Sequence, residues 1–140
     1  MTNMHPGSEN ETTFFEKLKT AEGLDLRDNR GKRIELAVIL FGLVMAILSG
    51  RDGNLSSLHR HMENHYVALL QALQLPDYDR KVVSRSHLPI VLSKVSATVL
   101  GRLIFADFGV KLSKKQKQWF ALDGKEMRGR IKKKRLVERP

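Results

Sequence analysis

Apolar residues recur at helical spacing through most of the first 110 positions, broken by short polar connections. Thr13, Phe14, Phe15 and Glu16 have capping-box spacing, which predicts a short helix from there to about Thr20. A charged loop over 25–33 (DLRDNRGKR) follows, with a turn at Asn29 to Gly31. Residues 36–48 (LAVILFGLVMAIL) are continuously apolar and predict a helix from about Ile34 that is buried on most sides. It should stop at Ser49 and Gly50, where glycine takes the left-handed conformation that ends a helix, and Asp52 and Gly53 should turn the chain.

Asn54 is a good N-cap for the next element, whose Leu55, Leu58, Met62, Tyr66, Leu69 and Leu73 form one amphipathic stripe ending before Pro76. Ser86 should cap a short helix over 88–93 that tolerates Pro89 in its first turn. Ser96 should start a further helix with Val99, Leu100, Leu103, Ile104 and Phe108 on one face, ended by Gly109. The pattern then changes. Residues 112–118 (LSKKQKQ) read as a basic linker, residues 119–122 (WFAL) as a short strand, and Asp123 with Gly124 as a turn into a second strand over 126–130.

Length and composition narrow the reading. The chain's 140 residues suffice for one ordinary domain, and with 41% hydrophobic and 29% charged residues it is neither collagen-like nor wholly disordered. The absence of cysteine removes disulfides, thiol catalysis and Cys-ligated metal sites. The N-terminus (MTNMHPGSENET) lacks the basic start and apolar run of a secretory signal and reads as disordered over 1–12. Thirteen apolar residues fall short of the about 20 that span a bilayer, so the expectation is a cytoplasmic protein with no membrane partner.

Charge divides the chain. Residues 1–110 hold 13 basic and 12 acidic side chains, whereas residues 111–140 hold 12 basic and 3 acidic. The +10 total is thus almost entirely a property of the last thirty residues, which point to a polyanionic partner. The same charge reads equally as a solvated, disordered end or as nucleic-acid contact; in the second case Lys125, Arg128, Arg130, Lys132, Lys133, Lys134 and Arg135 are the candidate contacts, neutralising phosphates without reading bases. The polar residues Ser84, Arg85, Ser86 and His87 ahead of an apolar helix offer a weaker, groove-reading alternative.

Catalytic constellations are otherwise scarce. His61 and His65 share a helix face, but Met62 stands where a zincin needs Glu and no third ligand is evident, so a zinc site is rejected. No Gly-x-Ser-x-Gly elbow or phosphate-binding Gly-rich loop is present. Asp123 is the sharpest residue. Taken alone, Leu-Asp-Gly-Lys is a hairpin turn. In context, residues 120–129 (FALDGKEMRG) resemble the apolar-Asp-Gly-Lys-x-x-Arg-Gly motif of bacterial DDE-type insertion-sequence transposases, nearest to the H-repeat-associated group.

Upstream pieces are similar to that group's N-terminal associated domain: Phe14 and Phe15, the LRDNRGKR stretch over 26–33, the apolar helix ending in Ser49 and Gly50, and Ser84 to Leu92. The resemblance spans about residues 14–130. It implies a mainly α protein: a helical transposase-associated domain over 13–110, then a basic segment over 111–140 bearing the opening strand or hairpin of an incomplete ribonuclease-H-like α/β domain. It further implies that Asp123 is the first of three carboxylates that hold Mg2+ for phosphodiester cleavage and strand transfer, with Lys125 and Arg128 near phosphate. Seventeen residues follow Asp123, and neither Glu126 nor Glu138 matches a family position. The expectation is a truncated transposase, inert alone, with mobile-element DNA as partner and a second copy or a full-length transposase as protein partner. The other reading is a small helical nucleic-acid-binding regulator or adaptor with a basic C-terminal tail.

Overall fold

The computed structural model describes residues 14–27, 33–50, 54–75 and 77–121, and these are mainly helical. In chain order the elements are α1 (14–20), α2 (Arg33–Leu48), α3 (Leu55–Asn64), α4 (Tyr66–Ala72), α5 (Leu88–Leu92), α6 (Ala97–Phe108) and α7 (Lys114–Lys117). The turns expected at Asn29 to Gly31 and at Asp52 and Gly53, the residue Thr13 and the N-terminal stretch 1–12 lie outside the described residues.

Helix α2 is the pillar of the fold. Sixteen residues make it about 24 Å long, and nearly every side of it is covered, from Leu36 and Ala37 to Ala46 and Ile47. A helix apolar all round has to be surrounded, because any bare face would leave hydrocarbon in water. Helix α3 packs against it. The approach is close at Gly42, where an added Cβ would meet Met62 Cε at 3.2 Å. On another side the rings of Phe14 and Phe15 from α1 each lie 6.3 Å from that of Phe41, and Phe14 meets Phe108 of α6 edge-on at 5.1 Å. Lys17 adds an ion pair from α1 to Asp107 of α6 at 2.6 Å.

The caps largely follow the sequence. Asn54 accepts from the amides of Ser56 and Ser57, Ser96 accepts from Val99, Gly50 takes φ +86°, and Gly109 takes φ +69°. Two local expectations change. The stripe from Leu55 to Leu73 is two helices rather than one, parted at His65, whose Nδ1 sits 2.9 Å from the His61 carbonyl oxygen. The short helix α5 is entered through Ser84 rather than Ser86: the Ser84 hydroxyl accepts from the His87 amide at 3.2 Å.

The C-terminal part of the described chain departs most from expectation. Residues 112–118 are not a linker, because Ser113 and Gln116 form a reciprocal capping box around α7. Leu112, Gln116 and Phe120 are buried against the helices. The strand expected over 119–122 is absent as far as Ala121. Trp119 and Phe120 donate backbone bonds to Gln116 and Lys117, extending the turn of α7, and Phe120 enters the core instead of pairing in a sheet. No strand occurs among the described residues. The nearest approach is one antiparallel bridge between Asp25 and Val95, flanked by Leu26 N–H to Lys94 O and Ser96 N–H to Leu24 O, both 2.9 Å. Ala121 N–H joins the same node by donating to Val95 O at 3.1 Å.

Candidate functional site

The eight residues that the sequence assigns to catalysis or DNA contact (Asp123, Lys125, Arg128, Arg130, Lys132, Lys133, Lys134 and Arg135) lie outside the described residues, as does the second strand expected over 126–130. The structure does describe the approach to them. Phe120 is buried and Ala121 is hydrogen-bonded to Val95, so the chain is tied to the helical body two residues before Asp123.

The basic stretch after α1 is described only at its ends, and both ends are structural clamps. Asp25 is 2% exposed and receives the Arg27 guanidinium in a fork, Nε at 2.8 Å and Nη2 at 2.7 Å, plus the Arg27 amide at 3.0 Å. Burial alone would push the Asp25 carboxyl up. The hydrogen bonds and charge of Arg27, with Arg33 more distant, outweigh it and hold the carboxyl below its ordinary value. Arg33 donates to the Lys19 carbonyl at 2.6 Å, closing the C-terminal end of α1.

A cavity of about 240 Å³ opens between α2, α4, α5 and the chain leading from α4 to α5. Its polar lining includes Glu35, Tyr66, Tyr78, Ser84 and His87. Burial, reinforced by Tyr78 and Glu35, pushes the Tyr66 hydroxyl up to about 12. Burial and then Glu35 raise Tyr78 as well, so both phenols are neutral donors at neutral pH. Tyr66 donates to the Arg80 carbonyl at 2.8 Å, and the Arg80 guanidinium meets Glu35 at 3.3 Å. These groups are spent on fixing the α4–α5 connection. His59 is buried with Nε2 2.5 Å from the Val83 carbonyl, which can only accept, so Nε2 carries the proton. The rings of His61 and His65 stack at 4.2 Å.

Asp123 is the one residue that the family resemblance matches to a metal ligand. Among the described residues no group of three or more His, Asp or Glu side chains is placed to hold a metal ion. Among the described residues no helix is long and apolar enough to cross a membrane.

A second surface was invisible in the sequence. A cleft of about 350 Å³ runs along α6 to the α6–α7 connection, lined by Gly101, Arg102, Phe105, Lys111, Leu112 and Lys117 among others. The Phe108 stripe and the basic count of the tail were both legible. That Phe105, on the opposite side of α6, would meet lysines returning from α7 depends on how 109–113 turns. Comparison with models of protein families, with curated proteins and with solved structures finds no match.

Proposed function

We propose that this chain is the N-terminal part of a DDE-type transposase: a helical domain that carries the first catalytic carboxylate, Asp123, and binds DNA through its basic C-terminal segment. The reading rests on the order and spacing of the motif pieces from Phe14 to Arg128. One structural observation supports it above the rest. Phe120, which opens the Asp-Gly-Lys motif, is buried in the helical body, so the helices and the segment running into Asp123 fold as a unit.

Of the family's three carboxylates only Asp123 has a matched position in these residues, so the expected outcome is no cleavage of DNA by them alone. Two measurements test the proposal. Duplex binding should weaken linearly in log K against log salt, with a slope of about −0.9 per phosphate contacted, and substituting Lys132, Lys133, Lys134 and Arg135 by Gln should flatten that slope. A flat response in the unaltered chain defeats the DNA partner. Supercoiled plasmid with Mg2+ should remain unnicked, and nicking abolished by Asp123→Asn would refute the claim of inertness.

A further inference from the structure

The cleft along α6 combines three features seldom found together on a surface that does nothing. Phe105 is 51% exposed, although burying its ring would have been favourable. Arg102, Lys111 and Lys117 surround it, and among the described residues none of the three pairs with a carboxylate. Lys111 Nζ stands over one face of the Phe105 ring, 5.5 Å from its centroid, so cation and aromatic ring are held together in the cleft. The floor is apolar and low: Gly101 has no side chain, and Leu112 Cδ1 lies 3.7 Å from where its Cβ would be. Among the described residues no acidic side chain lines the cleft.

We propose that this cleft seats a single-stranded stretch of nucleic acid, with a base stacked on Phe105 and the flanking phosphates on Arg102, Lys111 and Lys117. The inference rests on the reading of DNA as partner and adds a contact on the folded body to those of the tail. Each alternative occupant leaves part of the cleft unused. An acidic peptide would satisfy the cations but not the ring. A duplex would satisfy the cations too, yet its bases are already stacked on one another. Only an unpaired strand offers both a free π-face and a phosphate backbone. Lys114 and Lys115 on α7, both exposed, add positive charge on the helix that carries Lys117.

The test uses the full 140-residue chain and three fluorescent probes: a fifteen-nucleotide oligothymidylate, a fifteen-base-pair duplex and poly-glutamate. Anisotropy is measured over a series of salt concentrations. Phe105→Ala and Phe105→Leu should each weaken oligothymidylate binding about five- to hundredfold, the range for losing one base–aromatic stack, and leave duplex binding within about twofold. Arg102→Gln with Lys117→Gln should reduce the single-strand salt slope by about 1.4, or about 0.7 for each phosphate contact. All these side chains are exposed, and unchanged circular dichroism and urea midpoints would verify folding. Equal losses on single strand and duplex, or no loss on either, overturn the proposal. So does poly-glutamate binding that matches oligothymidylate and responds alike to Phe105→Ala. Failure of the underlying DNA reading is recognised separately, as absence of duplex binding by the unaltered chain.

Discussion

Replacing Phe120 by Ala tests whether the segment leading to Asp123 belongs to the helical body. The ring is 2% exposed, and removing it from contact with water is worth about 1.5–3 kcal/mol. In a rigid core the cavity left behind would raise the cost to about 3–5 kcal/mol. Residues 112–121 hold a single four-residue helix, α7, however, and can release from the body instead of preserving a void. The expected loss is therefore about 2–3 kcal/mol. At a urea dependence of about 1.5 kcal/mol per molar, this lowers the midpoint by between about 1 and 2 M. Local release has its own signature: the Ala121 amide, bonded to Val95 O at 3.1 Å, should lose its hydrogen-exchange protection, while amides in the middle of α2 keep most of theirs. Phe120→Leu should recover much of both. An unchanged midpoint together with a protected Ala121 amide would show that Phe120 does not anchor the segment.

Other perturbations probe the rest of the frame. The Asp25 carboxyl is held below its ordinary 3.8, so it adds stability above that pH and the gain disappears as the pH falls through the lowered value. Asp25→Asn should cost about 2 kcal/mol at neutral pH and flatten the decline of the urea midpoint in acid, and an equally steep decline would refute this. Gln74 adopts φ +60°, a conformation that costs a residue with a side chain about 1 kcal/mol. Gln74→Gly should therefore raise the thermal midpoint, whereas most glycine substitutions lower it. Gly42→Val should destabilise by about 1–3 kcal/mol, since its first carbon already meets Met62 at 3.2 Å. Adding Met62→Ala should relieve part of that in a double-mutant cycle. Absorbance titration should find one phenol, Tyr66, ionising near 12, and Arg80→Ala should leave that value high because burial dominates it.

The helical body was legible because its signals are local. Asn54, Ser96, Gly50 and Gly109 mark helix ends through bonds and backbone angles set within a few residues. The unbroken apolar run of α2 announced burial on every side. The segment after Val110 was misread for the opposite reason. Trp119, Phe120 and Ala121 have strand-like composition, but their placement is decided by a distant partner, Val95, and by a capping box whose Ser113 and Gln116 looked like linker residues among lysines. His65 divides the stripe from Leu55 to Leu73 although the apolar spacing runs on through it. The cleft beside Phe105 was equally hidden, since residues on α6 and α7 become neighbours only through the reversal between them. The sequence nominates Asp123 and the basic cluster after it on motif and charge, and the described structure reaches to within two residues of them.

The order of the helices also carries a timing problem for the cell. The most apolar stretch, Arg33–Leu48, is synthesised sixty residues before Phe108, whose ring helps to roof it through Phe14. At about 5–20 residues per second the ribosome needs roughly 3–12 s to make up that difference. For that interval a greasy peptide hangs from the exit tunnel without its lid. Leu55–Asn64, made directly after it and packed on it in the native fold, is the first cover the growing chain can supply.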